Sequence, residues 1–299
     1  MDNGVSVILP YKDRADVLQR AIRSVLAQTH DDITLILIDD ASTDGSADIA
    51  MRHNGARIVH ASSKEGLGPS AARNVGLRLA ETNLVAFIDS DDEWMPRKLE
   101  VQVRALRSLQ SNGFAVSVVG CGWTLAGRED STRHFCPGPF TRDDVLLRGV
   151  PGTGTPLLLV DRLQAASDPQ FDPSLPALED RDFVIDCLRN GSKVLVTPEI
   201  LAVVARGRSD HAARPLNAAI AYDRLLDKYA VELKEADQVR SWYQFRACRE
   251  WILAGERRRS LRYAPKALET QRLRRLTHIL FGLAGGQRGL AFAQKVAPL

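Results

Sequence analysis

Up to about residue 120, short apolar runs alternate with amphipathic stretches, and this rhythm constrains the fold more than any other feature of the chain. The apolar runs are Val5 to Leu9, Thr34 to Asp39, Arg57 to His60, Leu84 to Asp89 and Ala115 to Val119, each of strand length. Between them lie Val17 to Ala27, Ser46 to Arg52, Ser70 to Ala80 and Pro96 to Leu109. The first of these carries Val17, Leu18, Ala21, Ile22, Val25 and Leu26 on one helical stripe. A βαβα order predicts an α/β fold, Rossmann-like, with a mainly parallel sheet and helices on both faces. Ligands of such a sheet bind beyond the carboxyl ends of its strands. Asp39, Asp40 and Asp89 all fall at those ends. The loop Gly66-Leu67-Gly68 leads into Pro69 and Ser70, which open the third helix, and the amides at that start attract an anion.

The fourth run ends abruptly. Val85-Ala86-Phe87-Ile88 is followed by Asp89-Ser90-Asp91-Asp92, three carboxylates in four positions. Carboxylates this close repel one another at the end of a buried strand unless a cation sits among them. Oxygen ligands at this spacing suit Mg2+ or Mn2+, which share their coordination with phosphate oxygens. The run therefore predicts a metal-bridged phosphate ligand, with Asp91 as the leading metal ligand. Asp40, after an apolar strand and before a Ser/Thr/Gly turn, is placed to accept a hydrogen bond from a nucleobase N–H; capping of the turn by Asp39 or Asp40 is the plainer alternative.

With 299 residues, 44% of them hydrophobic, the chain can bury a large core. Its start, Met1-Asp2-Asn3-Gly4, runs straight into a strand-like segment, so export is not expected. No stretch reaches the roughly 18 to 20 apolar residues that span a bilayer. Cys121, Cys136, Cys187 and Cys248 form no Cys-x-x-Cys pair, which speaks against zinc and fits core residues in a reducing cytoplasm.

From Gly120 to Pro156 the rhythm breaks into Gly, Pro and charged residues around a short helix at Thr141 to Arg148, and this region is expected to build the acceptor side. Strands follow at Leu157 to Val160, Lys193 to Val196 and Leu201 to Ala205, with a helix at Glu179 to Asn190. Beyond Pro215 the pattern is almost wholly helical. These readings place a domain boundary near residue 212, with an α/β domain over residues 1–212 and a basic helical region over 213–299. The net charge of +3 hides a segregation: residues 240–299 carry +10 and the remainder −7. Arg257-Arg258-Arg259 and Arg272 to Arg275, interleaved with Trp242, Tyr243, Phe245, Trp251, Tyr263 and Phe281, fit either an anionic membrane surface or a cap that packs on the core or forms a homodimer. No motif for reading nucleic acid accompanies them.

Taken in order, Val5 to Tyr11, Ser24 to Thr29, Ile38 to Ser46, Ala72-Arg73-Asn74-Val75-Gly76, Ile88 to Asp92 and Trp94-Met95-Pro96-Arg97-Lys98-Leu99-Glu100 resemble a family 2 glycosyltransferase of the GT-A fold. The resemblance covers the first hundred residues and thins between Gly120 and Ala205. It implies an inverting transfer of a sugar from a nucleotide diphosphate sugar to a hydroxyl of a saccharide or lipid-linked acceptor, in polysaccharide or glycolipid assembly. It places Asp40 on the nucleobase, framed by Pro10 and Tyr11. Asp89, Ser90 and Asp92 support the metal, ribose or donor sugar, with Mn2+ or Mg2+ at Asp91. Arg73 faces the strand ends, where it contacts the ligand or pairs with Asp40 or Asp89. Glu179-Asp180, by itself a helix-capping feature, matches the family's Glu-Asp, which implies Asp180 as the general base; Asp182 stands as the alternative. Arg206, Arg208 and His211 rank behind these carboxylates. A noncatalytic nucleotide-sugar-binding or assembly protein on the same fold is the competing function. The location expected is the cytoplasm, including the inner face of the membrane.

Overall fold

The computed structural model describes residues 3–55, 57–133, 138–166, 168–205, 213–234, 236–264 and 272–296. Strand β1 (Val5–Tyr11) is buried along all seven residues, as a strand covered on both faces must be. It runs parallel to β2 (Ile33–Asp39) on one side and to β4 (Leu84–Phe87) on the other, and β2 runs parallel to β3 (Ile58–Ser62). In this half of the sheet, ordered β3-β2-β1-β4, the carboxyl ends gather at one edge. Beyond β4 comes β9 (Leu159–Asp161), inserted antiparallel. Then follow β6 (Val116–Leu125), β10 (Lys193–Val204) and β5 (Glu93–Trp94). Strands β6 and β10 are parallel, while β7 (Arg128–Arg133) pairs with β6 and β8 (Pro139–Phe140) with β10. The chain is thus mixed α/β with a mostly parallel central sheet, as its rhythm predicts.

The helices are α1 (Leu18–Leu26), α2 (Ser46–Met51), α3 (Pro69–Leu79), α4 (Lys98–Ser111), α5 (Arg142–Arg148) and α6 (Glu179–Cys187). Side chains alternate across a strand, so β1 feeds two layers. Val7 and Leu9 join Leu18, Ala21, Ile22 and Val25 of α1 and Leu99 of α4 in one core. Ile8 points the other way, against Gly76 of α3, where a Cβ would overlap its side chain. Gly68 (φ 85°) and Pro69 start that helix in the manner the sequence indicates.

Three local readings change. The two strands expected at 193–196 and 201–205 are one strand, β10, with register shifts between Val196 and Ile200 and between Ile200 and Ala202. The strand expected from Leu157 begins two residues later, because Thr155–Leu157 forms a 3-10 turn around Pro156. Strand β6 extends to Leu125, well past Val119.

Among the described residues two compact units form: residues 1–173 with 179–207, and residues 174–178 with 208–299. The second unit consists of α7 (Ala213–Lys228), α8 (Ala230–Lys234), α9 (Asp237–Leu253), α10 (Arg257–Ser260) and α11 (Arg272–Val296), the last kinked at Gly286. Its aromatics are mostly inside: Tyr243, Phe245 and Trp251 are buried. Leu261, Leu280 and Phe281 are exposed, as are Arg257, Arg258 and Arg259. No helix among the described residues is long and apolar enough to cross a membrane. Cys121, Cys187 and Cys248 are buried free thiols, and Cys136 lies outside the described residues.

Candidate active site

Two loops at the strand ends are latched together. Asp13, which follows β1, accepts hydrogen bonds from the Thr43 amide (2.8 Å) and hydroxyl (3.2 Å), while Asp44 accepts from the Ala15 amide (2.9 Å) and Ser46 Oγ accepts from the Arg14 amide (2.7 Å). The latch holds Pro10 and Tyr11, both buried, beside Asp39 and Asp40. Burial and the nearby Asp39 push the Tyr11 phenol up, so it stays neutral. Asp40 is almost fully buried, and its two carboxylate oxygens accept the Leu67 (2.7 Å) and Gly68 (2.9 Å) amides. Two amides at the start of α3 are therefore taken by the protein's own carboxylate, which keeps one further lone pair on each oxygen for a ligand N–H.

Across the β1–β4 edge stand Asp89, Ser90, Asp91 and Asp92. Asp92 is 3% exposed and accepts the Ala205 amide at 2.7 Å. Burial, then Asp89 and Asp91, push its carboxyl up to about 8 against the pull of that amide. Burial thus disfavours the charged carboxylate most, and the neighbouring carboxylates add to it. Asp91 is partly exposed, and its carboxylate accepts no hydrogen bond from the described residues. Its backbone is held by Arg20, which donates to the Asp91 carbonyl at 2.7 Å. Among the described residues no three His, Cys, Asp or Glu side chains converge into a metal cage. The donor set instead suits a hard ion held by one or two carboxylates and completed by phosphate oxygens.

Arg73 lies between the acidic run and α6. Its guanidinium, 4% exposed, reaches Asp89 at 2.7 Å and Glu179 at 3.2 Å and lies 5.3 Å from the centre of the Phe171 ring. Of the partners the sequence offers, Asp89 is found and Asp40 is not. Phe171 stacks on Phe183 at 4.1 Å and is clamped by Asn74, which donates to the Phe171 carbonyl and accepts its amide, both at 2.8 Å. Phe171 and the role of Glu179 as the second anchor of Arg73 escape sequence reasoning. The Ala72-Arg73-Asn74 run was the available signal.

Asp180 opens α6 beside the acceptor-side loop. It is partly exposed, and a Cβ at Gly154 would lie 3.6 Å from its Oδ2. Burial of the carboxylate and the neighbouring Glu179 push it up to about 6, against the opposing amide and guanidinium of Arg181 and the guanidinium of Arg73. Asp182 is fully buried. Trp94 is buried as well and donates Nε1–H to the Pro156 carbonyl at 2.8 Å, so it packs rather than facing a sugar. Backbone strain marks the same neighbourhood: Asp13, Ala41 and Leu178 all have positive φ (50°, 64° and 62°), and each adjoins a candidate site residue or its loop. Arg206, Arg208 and His211 lie outside the described residues.

Comparison with known proteins gives the family and the fold. The profile of Glycosyl transferase family 2 matches residues 6–157. TuaG of Bacillus subtilis strain 168, whose name assigns it to teichuronic acid biosynthesis, is 31% identical over 204 residues, 66% of this chain and 77% of TuaG. The chain belongs to glycosyl transferase family 2. As a family 2 glycosyltransferase it acts in glycan biosynthesis, and the α/β architecture is the GT-A fold. Escherichia coli WfaP, named a UDP-Glc:alpha-D-GlcNAc-diphosphoundecaprenol beta-1,3-glucosyltransferase, is 33% identical over 104 residues, 35% of this chain and 41% of WfaP. Among other curated relatives the chain spans as little as 16% of their length. The crystal structure of Staphylococcus aureus TarS residues 1–349 in complex with UDP superposes with a TM-score of 0.65 at 17% identity, covering 98% of this chain and 90% of that one. The Pyrobaculum calidifontis mannosyltransferase PcManGT, solved with GDP-Man and Mn2+, gives 0.56 at 16% identity, with coverage of 96% and 87%. These two show a shared fold.

Proposed function

We propose that this family 2 glycosyltransferase moves a sugar from a nucleotide diphosphate sugar to an acceptor hydroxyl with inversion, with a divalent cation at Asp91. The observation that carries the reading is the placement of two kinds of carboxylate around one guanidinium: Arg73 touches Asp89 of the acidic run and Glu179, the neighbour of Asp180. One end of that pair suits a metal-bound diphosphate and the other a base. Asp40, framed by Pro10 and Tyr11, takes the nucleobase edge, with Asp89, Ser90 and Asp92 beneath the ribose and donor sugar. A divalent ion, Mn2+ or Mg2+, when bound supplies charge neutralisation on the leaving diphosphate. Asp91 offers the uncommitted carboxylate for it.

Asp180 accepts the proton of the attacking hydroxyl. Its carboxyl, at about 6, is ionised at neutral pH yet basic enough to take a proton as the bond forms. The fully buried Asp182 is less well placed to receive one, which supports Asp180 in that role. Attack on the face opposite the diphosphate inverts the anomeric centre without a covalent intermediate. The acceptor class, a saccharide or a lipid-linked sugar, follows the name of WfaP, and the exposed Arg257, Arg258 and Arg259 support peripheral contact with an anionic membrane. The domain division adopted is 1–212 for catalysis and 213–299 for the basic helices.

Thermal stabilisation and hydrolysis of UDP-glucose, UDP-GlcNAc and GDP-mannose, each with Mn2+, Mg2+ or chelator, test the reading. Stabilisation and nucleotide release with at least one donor, dependent on the ion, are expected. No response to any donor under any condition overturns it.

A further inference from the structure

Lys98, at the first turn of α4, is fully buried, and its counter-groups are not acidic. Its ammonium donates to Gln102 Oε1 at 2.8 Å and lies 3.9 Å from the centre of the Trp94 ring, with the Cys121 thiol on β6 as its titratable neighbour. Burying an ammonium without a carboxylate costs several kcal/mol, offset in part by the ring face and one hydrogen bond. A methionine would fill the same space at less cost, so packing does not explain the charge.

The charge does fix an orientation. An ammonium can only donate, so the Gln102 oxygen must face Lys98 and its NH2 must face away. Gln102 Nε2 accordingly donates to the carbonyls of Val119 (2.9 Å) and Leu157 (2.8 Å). Trp94, held under the ammonium, donates to the neighbouring Pro156 carbonyl. Two successive carbonyls of the 3-10 turn are thus gripped from below. The turn returns an amide from Leu157 to the Gly154 carbonyl at 2.9 Å, and Gly154 borders Asp180.

We propose that Lys98, with Gln102 and Trp94, is a positioning brace that holds the Gly154–Leu157 turn against Asp180 and so sets the space in which an acceptor hydroxyl meets the base. The brace touches neither nucleotide nor metal and acts through the turn. It rests on the reading of Asp180 as the base for its consequence in turnover, and on geometry alone for its consequence in local order.

Lys98→Met in the full chain tests it by hydrogen exchange, UDP affinity with Mn2+, and steady-state hydrolysis of UDP-glucose. The amides of Leu157 and Leu158 are expected to exchange at least about tenfold faster, while those of β1 and β2 hold their rates. UDP affinity and the KM for UDP-glucose stay within about twofold, and kcat falls roughly 10- to 100-fold, as misplacement near a reacting centre does. Trp94→Phe, which keeps the ring face and removes one N–H, gives smaller changes in the same direction; if Lys98→Met does not fold, this variant decides. Unchanged exchange at Leu157 and Leu158 overturns the brace. So does a joint change in which UDP affinity weakens, KM rises and kcat falls, which marks a general loss of structure. A wild-type chain inert toward UDP and UDP-glucose counts against the transfer reading with these donors, and the exchange rates still decide the brace.

Discussion

At the scale of single residues, the account turns on what burial does to carboxylates. Asp180 and Asp92 are both pushed upward, but by different neighbours: Glu179 for the first, Asp89 and Asp91 for the second. Asp180→Asn keeps the shape and removes the proton acceptor, so donor turnover is expected to fall about 10²- to 10⁴-fold. Mn2+-dependent UDP binding by that variant is expected to stay within about twofold of wild type, since only the base is lost. Retained turnover in Asp180→Asn would move the base elsewhere. The pH dependence has a definite sign. The base works only when deprotonated, so log kcat against pH rises through about 6 and levels above it. A profile flat from pH 5 to 8 argues against Asp180 in this role.

At the scale of elements, the site depends on how closely α3 approaches the sheet. Gly76 faces Ile8 with no room for a methyl group, and Arg73 and Asn74 ride on the same helix. Gly76→Ala forces the helix outward at a cost of about 1–3 kcal/mol. Melting should follow by about 2–4 °C per kcal/mol in a unit of this size, read by calorimetry. A melting temperature equal to wild type would show that the contact yields cheaply. The same elements show what the sequence reveals. Strands β1, β2 and β4 were legible because runs such as Val85 to Ile88 are apolar throughout, as strands covered on both faces must be. Strand β9 was legible as an apolar run, but its antiparallel insertion between β4 and β6 depends on pairings far apart in the chain. The unity of β10 was hidden because Thr197-Pro198-Glu199 looks like a break, whereas the strand absorbs it as a register irregularity. Within the site, the acidic run announced itself by local crowding. The pairing of Arg73 with Glu179, 106 positions away, leaves no local trace.

At the scale of the whole molecule, charge is divided between regions: the basic residues of the last sixty positions contrast with the acidic remainder. Most aromatics of the helical unit are used up in its own core, so membrane contact would fall to the exposed arginines and the few exposed apolar residues. Joint replacement of Arg257, Arg258 and Arg259 by Glu is therefore expected to abolish co-sedimentation with phosphatidylserine vesicles, and wild-type binding should weaken as salt is raised from 50 to 300 mM, on the order of several-fold. Co-sedimentation that ignores both charge and salt removes the membrane role. The central claim is that a crowded acidic cluster grips an ion that carries the donor's diphosphate. Calorimetric titration of UDP into the full chain, with Mn2+ and with chelator, examines it most directly: binding that requires the ion and disappears in Asp91→Asn is expected, and binding of equal strength with chelator, or with Asp91 replaced, contradicts it.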